Sequence, residues 1–196
     1  MKTGRLEAFS DGVLAIAITI MVLEMKAPEE VTLSALLKVA PVFISYLLSF
    51  IYIGIYWNNH HHLMHVTQKV NGKILWANLH LLFWLSLIPF TTSWLGEHEH
   101  YRESLPVATY GFVLLMCAVA YFILEWVLIR YHDDRFALKQ LPKLKWKDYL
   151  STALYILALP MAYINTWLSI TCFVAVAIIW IMPERRLEEF MEKEEV

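Results

Sequence analysis

Apolar residues run in long unbroken stretches along this chain, and polar residues gather between them. Six stretches stand out, at about 4–25, 32–60, 74–95, 105–129, 149–163 and 167–182. They are continuous rather than alternating, which fits α-helices and not the two-residue period of a membrane β-barrel. At ~1.5 Å per residue the first four reach ~30 Å or more, enough to cross the hydrocarbon of a bilayer. The last two are short, with little more than residues 164–166 between them. They read as spans rather than a re-entrant hairpin because Trp167 and Trp180 sit at opposite ends, like interface anchors. The pattern therefore predicts an all-α integral membrane protein, one domain over 1–196 with six transmembrane helices. Pro41, Pro89 and Pro160 fall inside or near these helices and are expected to kink them. Pro28, Pro106 and Pro183 punctuate ends.

The first stretch opens against this pattern. Arg5-Leu6-Glu7-Ala8-Phe9-Ser10-Asp11-Gly12 runs without a break into Val13 and the apolar residues up to Leu23. Ionisable groups at membrane depth are costly, face protein or water, and mark function by default. Arg5 and Asp11 lie six residues apart, ~120° around a helix, so neither simply stacks on the other. Their partners are expected on other helices at similar depth. The candidates are Trp57, His61 and His62 at the end of the second helix, and Asn78 and His80 early in the third. Arg5, Phe9, Ser10, Asp11, Trp57, His61 and Asn78 are read as a structural polar network that fixes helix 1, in preference to direct ion coordination by Asp11.

Beyond Gly12, Ile16, Ile20 and Leu23 fall at i, i+4 and i+7, one helical face, with Thr19 beside them. Two readings compete. The stripe packs against neighbouring helices, or copies of it surround an axis and build apolar rings. Such a neck gates by dewetting. R-x-x-x-F-S-D occurs once and no internal repeat is found, so a pore walled by this helix needs several identical subunits.

Composition and charge narrow the class. Hydrophobic residues make up 59% of the 196 and charged residues 17%, well above the apolar share of a soluble domain. Nothing suggests nucleic acid. Under six spans, 13 of the 16 lysines and arginines fall on one side and only Lys26, Lys38 and Arg102 on the other, which puts both termini in the cytoplasm. The tail from Glu184 is charged and reads as a solvated helix end. No cleavable signal peptide is read at the N-terminus. Cys117 and Cys172 lie in apolar runs and are expected as small buried hydrophobes without a disulfide. His61 and His65, at i and i+4, have the spacing of two ligands on one helix face. A membrane di-iron enzyme needs several such boxes and this chain has one, so no metal site is assigned, and the histidines are read as interfacial or network groups. Glu97-His98-Glu99-His100 is read as a solvated loop.

Arg5, Phe9, Ser10 and Asp11, followed by Ala15-Ile16-Ala17-Ile18-Thr19, resemble the signature of the transmembrane protein 175 family of potassium channels. Tyr56-Trp57 with the His-rich end of helix 2, Trp76-Ala77-Asn78-Leu79 and Leu87-Ile88-Pro89-Phe90 fit its bacterial branch. The resemblance covers the whole chain. It implies a homotetramer in the bacterial plasma membrane, with helix 1 lining a pore on the symmetry axis. It also implies selectivity without a carbonyl filter, and no T-V-G-Y-G loop is present. By the same resemblance Ile16 forms the innermost ring, Thr19 the hydroxyl layer, and Ile20 and Leu23 further rings. No cofactor is implied beyond permeant potassium ions, and no enzymatic activity. The alternative is a proton- or cation-coupled secondary transporter, which should show inverted repeats and broken helices at midplane. Neither is read here, although Pro89 and Pro160 keep that option open.

Overall fold

The fold is that of a computed structural model, which describes residues 3–67, 69–132 and 146–181. Every regular element among them is helical. The order is α1 (Gly4–Leu23), α2 (Leu33–Lys38), α3 (Ala40–His65), α4 (Gly72–Leu85), α5 (Ile88–Gly96), a 3₁₀ segment (Glu97–Arg102), α6 (Ser104–Tyr131), α7 (Trp146–Met161) and α8 (Thr166–Ile181). Four stretches are long and apolar enough to cross a membrane: Gly4–Leu23, Ala40–His65, Gly72–Arg102 and Ser104–Tyr131. α7 and α8 have 16 residues each, ~24 Å at the helical rise.

The prolines shape the second and third stretches. Pro41 lies in the first turn of α3, so the stretch over 32–60 divides into the short α2 and a longer α3 that runs on to His65. Thr32 caps α2 by accepting a bond from the Ala35 amide, 3.2 Å. The stretch over 74–95 breaks at Ser86–Leu87, with Pro89 in the first turn of α5. Proline has no N–H to continue the ladder, so hydroxyls take over at the break. Ser86 donates to the Phe83 carbonyl, 2.7 Å, and Thr92 to the Ile88 carbonyl, 2.7 Å. Pro160 sits inside α7, one residue from its end, so the Ile156 carbonyl loses its ladder donor only in the last turn.

α6 is the central pillar. Tyr110, Leu114, Cys117, Ala120, Leu124 and Leu128 make a buried stripe at helical spacing. It packs against α4, α5, α7 and α8. Gly111 permits the approach of α8, because a Cβ there would lie 2.6 Å from the Phe173 ring. Polar groups in the interior pair with one another. Thr92 donates to Ser49 at 2.6 Å, Ser49 and Tyr110 share a hydroxyl bond at 2.9 Å, and Tyr52 donates to the Phe173 carbonyl at 2.7 Å. Such pairing is what a water-free interior requires. Both cysteines are free, Cys117 fully buried and Cys172 half-buried. Trp167 stacks edge-on with Tyr101 at one end of α8, and Trp180 donates to Ser151 at the other, 2.8 Å. The lysines and arginines of 135–145 and the tail from Glu184 lie outside the described residues.

α1 stands at one edge and packs against α3, α4 and α5. Its buried face is Leu6, Ser10, Leu14, Ala17 and Met21. The opposite face is open.

Candidate functional site

Three helices meet at the start of α1, and a chain of side-chain hydrogen bonds joins them. Ser10 donates to the Leu6 carbonyl within its own helix, 2.9 Å. Its oxygen accepts from the Asn78 amide of α4, 3.0 Å. The other end of that amide, Oδ1, lies 2.8 Å from His60 Nε2 of α3. The polarity of the chain is fixed. The Ser10 proton is committed to Leu6, so Ser10 must accept from the Asn78 nitrogen. The Asn78 oxygen therefore faces His60, whose Nε2–H must donate. Ser10 and Asn78 are fully buried and His60 nearly so.

A second, more exposed pair of bonds runs beside it. Trp57 Nε1 donates to Asp11, 3.0 Å, and His61 Nδ1 to Glu7, 2.9 Å. Each rise of four residues on α1 matches a fall of four on α3, as antiparallel neighbours require. The Trp57 and His61 rings stack, 6.1 Å apart and 20° from parallel. The start of α1 is thus clasped to α3 and α4 by three side-chain bonds, and a fourth, between His60 and Asn78, joins α3 to α4.

The predicted network residues divide. Ser10, Asp11, Trp57, His61 and Asn78 come together in this clasp. Arg5 and Phe9 do not. Arg5 is exposed, with no ion pair or hydrogen bond among the described residues, and Phe9 is 54% exposed. The reason is angular: residue 5 lies roughly 140° around the helix from Ser10, and residue 9 roughly 100°. His80 accepts from Trp84 on its own helix, 3.0 Å, and takes no part. Two clasp residues were not singled out from the sequence. Glu7 had a signal, since Glu7 and Asp11 share one α1 face as Trp57 and His61 share one α3 face. His60 had none that set it apart from His61 and His62.

The stripe above the clasp is bare on the single subunit. Ile16 is 59% exposed, Ile20 43% and Leu23 78%. Thr19 is exposed too, and its hydroxyl bonds back to the Ala15 and Ile16 carbonyls at 3.1 and 2.9 Å. That uses its proton and leaves its oxygen lone pairs outward. A Cβ added at Gly12 meets nothing within 4 Å. Ile18, by contrast, packs against the core. Beside the stripe lies an open groove of about 640 Å³ between α1 and α5, with Ile16, Ile20, Phe90 and Trp94 on its walls. At the far end of α1 Glu24 accepts weakly from Ser93, 3.5 Å, and shares a polar hollow with Glu29, Glu30 and Glu97. In the 3₁₀ segment His98 and Glu99 adopt left-handed backbone, with φ of 48° and 61°.

Comparison with known proteins adds the family. A profile described as Endosomal/lysosomal potassium channel TMEM175 matches residues 5–89, the part that holds α1, its clasp and the α4–α5 break. A protein named as a potassium channel from a Chryseobacterium species is 51% identical over 193 residues, covering 98% of this chain and 100% of that one. A second, from Chamaesiphon minutus, is 32% identical over 88% of this chain and 91% of that one. A chicken protein named Endosomal/lysosomal proton channel TMEM175 is 32% identical over 49% of this chain and 22% of its own length. The crystal structure of a lysosomal potassium-selective channel TMEM175 homolog from Chamaesiphon minutus superposes with a TM-score of 0.76 at 29% identity, over 91% of this chain and 96% of that one. With a relative half identical from end to end and a solved channel of the same fold, this multi-pass membrane chain belongs to the transmembrane protein 175 family of potassium channels, a family of channels and not of enzymes.

Proposed function

We propose that four copies of this chain form a potassium-preferring cation channel with α1 of each copy around a central axis. In this reading the subunit crosses the bacterial plasma membrane six times, α7 and α8 included, with both termini in the cytoplasm. Ile16 makes the narrowest ring, Thr19 a hydroxyl layer one turn outward, and Ile20 and Leu23 further apolar rings. The observation that carries the reading is the bare face of α1. Its polar end is fixed while Ile16 and Leu23 are more than half exposed. A single helix cannot enclose a pore, so the stripe needs copies of itself.

The selectivity follows from hydration. A ring of isoleucine side chains offers an ion no oxygen, so it opposes every cation by dewetting. It opposes sodium most, because sodium holds its water more tightly than potassium does. The Thr19 oxygen, with its proton tied to the helix, returns part of the lost hydration. No backbone carbonyl filter is needed, and permeant potassium is the only ligand.

Purified protein in bilayers with asymmetric potassium and sodium tests this. Unitary currents with a reversal potential toward potassium, and a four-subunit mass in detergent, are expected. Ile16→Asn should wet the neck, raise current and weaken the preference for potassium, and Ile16→Ala should do so more mildly. Ile18→Asn should harm stability more than conduction. Proton flux without potassium flux, or a conducting monomer or dimer, overturns the proposal. Unchanged currents at Ile16 with large effects at Ile18 mean that another face of α1 meets the axis.

A further inference from the structure

We propose that His61 and His65, with Glu7 behind them, form a binding site for a divalent transition-metal ion at the inner end of α3. Both histidines are exposed. They lie near the end of the helix at i and i+4, His65 in the last turn, with ring centroids 6.3 Å apart. That spacing puts two imidazoles on one face, where they can share an ion.

The neighbours of His61 select its neutral tautomer. Nδ1 lies 2.9 Å from the Glu7 carboxylate and must donate to it, so in the neutral ring the proton sits on Nδ1 and Nε2 presents a lone pair. A ligating imidazole usually has this arrangement, its second nitrogen donating to a carboxylate. Trp57 stacks on the same ring and is itself tied to Asp11, which holds the imidazole plane. The other histidines are arranged differently. The Nε2 atoms of His60 and His80 are taken by Asn78 and Trp84. His98 reaches a carboxylate only at 3.7 Å.

Electrostatics adds to the case. His65 is the final residue of α3, where the free carbonyls of the last turn carry the negative end of the helix dipole. Glu7 and Asp11 supply two carboxylates nearby. A divalent cation is favoured there.

The donor set defines the ion. Two imidazoles suit zinc, nickel or copper, and hard cations such as magnesium prefer oxygen. Among the described residues no group of three His, Cys, Asp or Glu converges, so water completes the shell. Binding is expected to be reversible. The site departs from the reading of these histidines as interfacial groups without metal. Because Glu7 belongs to α1, a bound ion that polarises His61 strengthens the bond holding α1 to α3.

Full-length protein, stripped with chelator in detergent, is titrated with nickel chloride by calorimetry. One equivalent per subunit is expected, with no comparable heat from magnesium chloride. His65→Ala should weaken nickel binding by about tenfold or more while leaving the metal-free melting temperature unchanged, since the side chain is exposed. Glu7→Gln, which keeps an acceptor but loses the charge, should weaken it by roughly 10–100-fold. Absence of nickel binding overturns the proposal. So does affinity unchanged by His65→Ala or by Glu7→Gln, or affinity lost instead with His98→Ala or His100→Ala.

Discussion

Asn78→Leu is the sharpest test of the clasp. Leucine has the same number of side-chain heavy atoms and is bulkier, so no cavity forms and any overpacking adds to the loss. It removes both amide bonds, to Ser10 on α1 and to His60 on α3. The two losses are unequal. His60 Nε2–H is left buried without an acceptor, which costs about 1–3 kcal/mol. Ser10 keeps its own bond to Leu6 and loses only an incoming donor. An interhelical bond of that kind inside a membrane is worth ~0.6 kcal/mol on average. Together they make about 2–4 kcal/mol. A chain of this size loses ~2–4 °C of melting temperature per kcal/mol, so a drop of about 4–16 °C is expected. The assay is thermal melting in detergent, read as folded protein surviving on size exclusion. Adding His60→Leu to Asn78→Leu removes the orphaned donor and should recover part of the loss. Thr171→Ala, at an exposed hydroxyl bonded to its own helix, is the control. An Asn78→Leu protein melting with the parent would falsify the claim that this amide holds α1 in place.

Two further substitutions test neighbouring features by the same melting assay. Asp11→Ala removes a bond that is partly open to solvent, so it should cost only about 1 kcal/mol, well below a broken buried ion pair. Collapse of the protein on this change would refute the assignment of Asp11 to the exposed side of the clasp. Gly111→Ala puts a methyl 2.6 Å from the Phe173 ring and should cost roughly 1–3 kcal/mol by overpacking. Gly54→Ala, with nothing within 4 Å, should be neutral or stabilising by up to about 1 kcal/mol. Equal effects at the two glycines would contradict the close approach of α6 and α8.

Much of the fold was legible because lipid-sized apolar runs leave few alternatives to helices. The boundaries over 104–131 follow closely from where apolar residues stop. The division of 74–95 into α4 and α5 was only half legible. Pro89 announces a disturbance, and Ser86 and Leu87 take it up as a short interruption with right-handed backbone, where the hydroxyls of Ser86, Thr91 and Thr92 bond to nearby carbonyls. In the site, spacing along α1 fixed which residues share a face, and that was enough for the Ile16–Ile20–Leu23 stripe. The same spacing separates Arg5 from Ser10. The choice of His60 over His61 as the partner of Asn78 depends on the rotation of α3 about its own axis. A helix apolar nearly all round carries no sequence record of that rotation.

The α4–α5 break has a mechanical consequence. The third membrane stretch is two rods in series rather than one beam. The inner rod carries Asn78 and is pinned to α1 below Gly12. The outer rod carries Phe90 and Trp94 and flanks α1 from Ile16 upward. A joint between them lets the outer rod tilt without loading the pin. Any tilt of α5 therefore acts on α1 as a sideways push above a fixed pivot, and the displacement grows with height from Ile16 to Leu23. In a tetramer built as proposed, the clasped start of α1 would keep its spacing around the axis while the Ile16–Leu23 end would change its own.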